Sequence, residues 1–335
     1  MILITGGLGF IGSHLALSLL KQGKEIIIVD NLVNSNIHML ERLQQISGHT
    51  IPFFDGDLRN TPALNKFIEQ YVVDLVIHCA GFKSVSESHL KPVEYYNNNL
   101  SSSISLIRAM QRAGIRKIIF LSSVMVYGSS GTEFTEETSL NYISNNPYLK
   151  SQQMIETMFK DLITTDVEWQ VMILRLSNVA GAFQEGFLGE FIPPVPKTIL
   201  GLLLQVANHE RTHIDLYENK ITSDGSDERS FIHILDVCDA VISAIHWLYT
   251  NKPHHTFEVF NITHPQIYSI LELIEHVKNT LQVDIPIVKH PYEANHYHGL
   301  ERVNGSIQRA TQILDWTPHR GIGDIIQHQW AFYTT

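Results

Sequence analysis

Gly6, Gly9 and Gly12, in the run TGGLGFIG, stand at the spacing where backbone must come close to a pyrophosphate while a helix N-terminus points at it. A β-branched run, Met1–Thr5, leads into the glycines and an amphipathic one, Phe10–Gln22, leads out of them. That strand, turn and helix context separates a dinucleotide fingerprint from a tight turn with no ligand. After the second apolar run, Glu25–Asp30, the Asp30 carboxylate is placed to accept from ribose hydroxyls and to repel a 2′-phosphate, which favours NAD over NADP. Asp57, after the third run, fits an adenine-side contact or an ordinary helix cap. Arg229 offers paired N–H donors that suit phosphate oxygens, or an ion pair with Asp224, Asp227 or Glu228. Lys83 has the same two readings.

The elements that must position these residues alternate. Apolar runs at Ile51–Phe54, Leu75–His78, Lys117–Ser122 and Val171–Leu174 are separated by helical patterns at Pro62–Gln70, Pro92–Ala113 and Tyr148–Leu162. Each helical pattern is long enough to cross back over a sheet. The order implies an α/β chain with a Rossmann-like, doubly wound parallel sheet over residues 1–176, to which about 231–262 return. Residues 177–230 and 263–335 read as a smaller α/β substrate-binding cap with helices at Asp236–Thr250, Ser269–Leu281 and Ile322–Phe332. Asp236 and Ser269 are placed as N-caps.

The bulk numbers exclude several classes. At 335 residues, 44% hydrophobic and 17% charged, the chain can bury a large core. A net charge of −10 argues against a nucleic-acid surface. Two cysteines, Cys79 and Cys238, cannot make a disulfide framework, no basic leader precedes the first strand, and no apolar stretch reaches about 18 residues. The expectation is a cytoplasmic protein with no membrane span. His290, His296 and His298 lie close together but lack acids or thiols at fixed spacing, so no metal site is expected.

Taken together, TGGLGFIGSH, DNLVNS, GDLRN, IHCAGFKSVSES, KPVEYYNNN, SSVMVYG and RLSNVAGA, with DGSDERSFIHILDV further on, resemble the UDP-glucose 4-epimerase family of extended short-chain dehydrogenases. The resemblance implies cofactor contacts from Gly6, Gly9, Phe10, Ile11, Gly12, Asp30, Asn31, Asn34, Ser35, Asp57, Leu58, Cys79, Ala80, Gly81, Lys83, Asn98 and Ser177. It implies substrate contacts from Lys83, Ser123, Asn178 and Arg229, the last two on the diphosphate side. It also implies that Ser123 and Tyr148 face the sugar of a UDP-linked hexose or N-acetylhexosamine.

Tyrosine is a weak base near neutrality, with about one molecule in a thousand ionised. The family lowers that pKa with a Lys four residues later, and this chain reads YLKSQ, which puts Gln152 there. Gln can hydrogen-bond a ribose hydroxyl but brings no charge. Lys150, two residues on, points away from Tyr148. Leu176 replaces an aromatic, Thr198 falls near an Asn that touches the nucleotide, His296 takes an Arg position, and Val303 stands where the size of the C2 substituent is gated. Val124 and Met125 lack the acids that a dehydratase needs.

These residues imply an NAD-dependent 4-epimerase working by transient oxidation at C4, slowed by Gln152; the alternative is an impaired protein that binds NAD and nucleotide sugar. A homodimer is expected from stripes at Tyr96, Leu100, Ile104 and Ile107 and at Ile155, Met158, Phe159 and Leu162, unless these only cover the sheet.

Overall fold

The computed structural model describes all residues except 129–132, 141–145, 193–195, 197, 219–221, 252–255 and 292–301; of 302 and 303 it describes the backbone only. The strands in chain order are β1 (Ile2–Thr5), β2 (Ile26–Asp30), β3 (Phe53–Asp55), β4 (Leu75–His78), β5 (Lys117–Ser123), β6 (Gln170–Leu176) and β7 (Asn178–Ala180), followed by β8 (Ile214–Tyr217), β9 (Glu228–His233), β10 (Thr256–Ile262), β11 (Ile267–Ser269), β12 (Ile287–His290) and β13 (Arg302–Val303). The helices are α1 (Phe10–Lys21), α2 (His38–Ser47), α3 (Thr61–Ile68), α4 (Val85–Leu90), α5 (Pro92–Arg112), α6 (Pro147–Thr165), α7 (Ile199–Ala207), α8 (Ile234–Asn251), α9 (Ile270–Leu281), α10 (Gln308–Leu314) and α11 (Ile322–Tyr333).

Seven strands form one sheet in the order β10-β6-β5-β4-β1-β2-β3. The pairs from β3 to β5 are parallel, with Thr5 opposite both Val29 and His78. Every residue of β1, β2 and β4 is buried, as a sheet covered on both faces requires. The chain runs outward from β1 to β3 and then returns to the other side of β1. The switch point between β1 and β4 is where a crevice opens at the carboxyl ends of such strands.

The chain divides into a first unit of residues 1–126, 142–175 and 238–260 and a second of 127–141, 176–237 and 261–335. This differs from the sequence expectation at 127–141 and 231–237. Residues 127–141 belong to the second unit because Tyr127 Oη donates to Asn261 Oδ1 at 2.7 Å, Asn261 N to Glu136 Oε1 at 2.7 Å, and Phe134 exchanges backbone bonds with Asn304 and Ser306. Residues 231–233 belong to β9, which pairs with β7, β11 and β13. That unit has its own core, built on Leu203, Leu204, Phe231, Leu273, Ile274 and Ile326.

Ser269 caps α9 in a full capping box with Glu272. Asp236 does not cap. Helix α8 begins at Ile234, where His233 Nδ1 accepts from Leu235 N, so Asp236 falls in the first turn and binds the Arg320 guanidinium instead. The short helices α2 and α4 were not expected: only Leu43 of α2 is buried, and α4 has six residues started by the Ser84 cap.

One buried cluster fastens α6 to the sheet. Glu156 receives the Arg175 guanidinium at 2.6 Å and the Ser122 hydroxyl, and both charged side chains are 95% or more buried. Arg175→Ala leaves the carboxylate without its countercharge and is expected to cost about 3–5 kcal/mol. Replacing the pair together, Arg175→Met with Glu156→Leu, is expected to cost much less. Equal losses for the two variants in urea denaturation would mean that volume, and not charge, is what the site holds.

Candidate functional site

The turn after β1 can only be built from glycine. Gly6 has φ +64°, and a Cβ there would lie 2.8 Å from Ala80 Cα; a Cβ on Gly12 would lie 2.1 Å from the Gly6 carbonyl oxygen. Gly9 starts α1 without a side-chain cap, so the first-turn amides are left open to an anion. The cradle therefore fits a pyrophosphate on physical grounds.

Asp30 does more than face the crevice. Its Oδ2 accepts from Leu8 N at 3.0 Å, and its Oδ1 accepts from Leu32 N at 2.9 Å and Ser35 Oγ at 2.7 Å. One carboxylate thus ties the glycine turn to the loop after β2 and holds Leu32 at φ +59°. Asp57 is not a helix cap, because Asn60 caps α3. Its carboxylate is gripped by Arg59 at 2.9 and 2.6 Å and touched by Asn31 Nδ2 at 3.3 Å. The Arg59 hydrogen bonds hold the Asp57 pKa down to about 2.

Both acids line a cleft of about 110 Å³. Of the expected cofactor residues, Gly6, Gly9, Asn31, Asn34 and Ser35 line it from the first two strands. Leu58, Cys79, Ala80, Gly81 and Asn98 line it from the next. Phe10, Ile11, Gly12, Lys83 and Ser177 do not line it. The Lys83 ammonium sits 5.7 Å from the centre of the Phe10 ring. Sequence reasoning missed Asn99, whose side chain bonds both Phe82 N and Phe82 O and also Ser151 Oγ. It also missed His78, which links Thr5 Oγ1 at 2.7 Å to Ser103 Oγ at 2.9 Å; burial lowers its pKa to about 4. His78 closes an apolar strand, and nothing in that pattern marks it.

Ser123 ends β5, and Tyr148 lies in the first turn of α6, behind Pro147 and the Asn146 cap. Ser123 Oγ accepts from Met125 N at 3.2 Å and stands beside the Tyr148 phenol. Burial pushes the phenol up to about 12, against a smaller lowering by Ser123. Gln152, one turn on, is 6% exposed, and its Oε1 has no hydrogen-bond partner. Hydroxyl, phenol and amide together can hold and move a proton at a substrate hydroxyl.

In the second unit, Asn178 begins β7 and donates to Ser230 O at 3.0 Å. Strand register sets Val303 opposite Arg229. Arg229 pairs with Asp227 at 2.7 Å and donates to Glu228 O at 2.8 Å, so the ion-pair alternative describes it as it stands here. Thr198 caps α7 by accepting from Gly201 N. Ser177 Oγ is buried without a partner. His296 and the Val303 side chain lie outside the described residues.

Residues 2–262 match the model of the NAD dependent epimerase/dehydratase family. The chain is 35% identical to a UDP-glucose 4-epimerase of Neisseria gonorrhoeae over 333 residues, covering 99% of this chain and 96% of that one. It is 32% identical to the Bacillus subtilis UDP-glucose 4-epimerase over 343 residues, covering 100% and 97%. Among solved structures, UDP-glucose 4-epimerase of Stenotrophomonas maltophila with bound NAD and formylated UDP-arabinopyranose superposes with a TM-score of 0.93 at 30% identity, covering 99% and 97%. That of Bifidobacterium longum with NAD+ and UDP gives 0.91 at 32% identity, covering 99% and 98%.

The Asp57 clamp can be tested by titration. A carboxyl held below its ordinary 3.8 stabilises the folded chain above that pH, and the contribution is lost as pH falls through about 2. Arg59→Ala is expected to return the Asp57 titration, read by carboxyl-carbon NMR, toward the ordinary value. An Asp57 that still titrates near 2 without the guanidinium would refute the clamp.

Proposed function

Because this chain belongs to the NAD dependent epimerase/dehydratase family, we propose that it is an NAD-dependent 4-epimerase of nucleotide sugars, with UDP-linked hexoses or N-acetylhexosamines as substrates. The observation that carries the reading is the placement of Ser123, at the end of β5, beside the buried Tyr148 phenol in the first turn of α6. Ser123 closes β5, and the glycine turn, Asp30 and Cys79 follow the carboxyl ends of β1, β2 and β4, so all sit at one edge of a parallel sheet. Bound NAD would supply a reversible hydride acceptor for the sugar's C4. Gly6, Gly12 and the open amides of α1 hold its pyrophosphate, and Asp30 its adenosine ribose.

Tyr148 removes the proton from O4 and later restores it, while Ser123 orients that oxygen through its own hydroxyl. Gln152 presents its unpaired amide oxygen to a ribose hydroxyl. Asn178 and Arg229 hold the diphosphate, and Arg229 must turn from Asp227 to do so. The family resemblance assigns Val303 to the C2 substituent and His296 and Thr198 to the nucleotide side. The same reading puts the protein in the cytoplasm, where Cys79 and Cys238 stay out of disulfides; no described helix is long and apolar enough to cross a membrane.

The raised Tyr148 supports a second reading, an impaired binder of NAD and nucleotide sugar, since Gln152 supplies no charge. Incubation with UDP-glucose and with UDP-N-acetylglucosamine, resolved by NMR, separates the two. Turnover is expected to be slow and to rise with pH. Gln152→Lys is expected to raise it by roughly one to three orders of magnitude and to move the profile toward neutrality. Tyr148→Phe is expected to abolish it with NAD still bound. A rate flat with pH and unchanged by Gln152→Lys would show that the charge comes from elsewhere. A Gln152→Lys protein that binds NAD but converts no sugar would favour the binder.

A homodimer through α5 and α6 belongs to the same proposal. Ile107, Ile155 and Phe159 are spent on the core of the first unit. Leu100, Met158 and Leu162 pack partly on the same core, while Tyr96 is half-buried and Ile104 and Met154 are exposed, which leaves these three as the apolar face for a second copy. Light scattering is expected to give twice the 38.1 kDa chain mass. A single-chain mass at micromolar concentration would remove the dimer.

A further inference from the structure

Three walls of the cofactor cleft meet at one buried imidazole. Gly6 follows β1, Cys79, Ala80 and Gly81 follow β4, and Asn98 and Ser102 belong to α5; all of them line the cleft. The last residues of the two strands, Thr5 and His78, stand opposite each other in the parallel register, and Ser103 is the neighbour of Ser102 on α5. Thr5, His78 and Ser103 are each at most 1% exposed. Their polar atoms must therefore satisfy one another.

Every proton in this cluster has one place to go. Ser103 Oγ donates to the Asn99 carbonyl oxygen at 2.8 Å, an atom that can only accept. With that proton spent, Ser103 Oγ accepts from His78 Nε2 at 2.9 Å, so Nε2 carries the imidazole proton. Nδ1 is then a bare acceptor, and it receives the Thr5 hydroxyl at 2.7 Å. The Thr5 oxygen in turn accepts from Ala80 N at 3.4 Å. Burial holds the imidazole pKa down to about 4, which keeps it neutral and this single direction of donation intact.

The relay crosses the place where the sheet opens. The backbone bond from Cys79 N to Thr5 O, at 3.1 Å, stands at the mouth of the crevice, and beyond it the chains after β1 and β4 part. We propose that His78, fixed with its proton on Nε2, is a positioning residue that holds the glycine turn, the loop after β4 and helix α5 at the spacing NAD requires. This rests on the NAD-binding part of the epimerase reading. His78 acts through others: through Thr5 on Gly6 and Ala80, and through Ser103 on the stretch of α5 that carries Asn98 and Ser102. The turn and the loop are packed so closely that a Gly6 Cβ would lie 2.8 Å from Ala80 Cα, so a shift of one wall is passed to the other. A fully satisfied polar chain specifies one arrangement of the three walls, where an apolar contact would permit sliding.

The test separates positioning from bulk stability. Thr5→Val keeps the side chain's shape and removes the hydroxyl that His78 and Ala80 share. It is expected to weaken NAD binding about tenfold, read by equilibrium titration at a temperature where the variant is fully folded. Thr5→Ser, which keeps the hydroxyl, is expected to bind within about threefold of wild type. In a His78→Leu background, Thr5→Val is expected to weaken binding little further, because the relay is already broken. Nitrogen-15 NMR of the wild-type imidazole, which needs no variant to fold, is expected to show Nδ1 bare and Nε2 protonated both with and without NAD. A folded Thr5→Val protein that binds NAD like wild type would overturn the proposal, and so would a proton found on Nδ1. Epimerisation by the wild type together with an unweakened Thr5→Val protein would sink this inference and leave the epimerase reading standing. NAD binding that falls as expected in a chain that converts no nucleotide sugar would sustain the positioning role and remove the epimerase.

Discussion

The 2.1 Å that would separate a Gly12 Cβ from the Gly6 carbonyl oxygen is the constraint from which the first unit's geometry follows. Helix α1 can start that close to β1 only if two side chains are absent, and its amides then face the crevice at the switch point. Asp30 extends the constraint sideways by binding Leu8 on one side and Leu32 and Ser35 on the other. The acid proposed to select against a 2′-phosphate is thus the same acid that shapes the turn. Its replacement would alter the cradle and the selectivity together, which makes Asp30 a poor single probe of either.

Helix α6 shows how burial and charge are balanced. Tyr148, Gln152 and Glu156 recur every four residues on one face. The innermost, Glu156, is charged and fully matched; the outermost is a phenol that burial keeps protonated. Gln152 between them is neutral, which avoids a second buried charge next to an ion pair already satisfied. The arrangement favours a stable helix over a reactive phenol.

The alternating strands and long helices of the first unit were legible because their apolar patterns are long and several of their turns carry a glycine or proline, such as Gly23, Gly114 and Pro147. Within the site, Asp30 and Asp57 were legible because they sit at strand ends. Ser123, Tyr148 and the vacancy at Gln152 needed the family resemblance, since a lone Ser, Tyr or Gln carries no spacing signal. What escaped was held by tertiary bonds. The 127–141 segment joins the second unit through Asn261, which is 125 or more residues away from Glu136 and Phe134. Asp236 looked like a cap until His233 took that duty and Arg320 claimed the carboxylate. Asn99 and His78 act through partners on other elements, and no local pattern encodes them.

Arg229, proposed above to hold the diphosphate, is already paired with Asp227 in the absence of a ligand. The loop that carries its partner is itself fixed: Asp227 O accepts from Ile270 N, Ser226 Oγ accepts from Leu271 N, and Asp224 caps Ser226. Asp227 therefore cannot move far from the guanidinium. An incoming phosphate must share or displace a carboxylate that is already in place, so it exchanges one charge-assisted bond for another and gains less than it would from an unpaired arginine. Part of the affinity for a diphosphate must then come from the nucleotide and the sugar, which lets the same cap discriminate among substrates by the parts that differ.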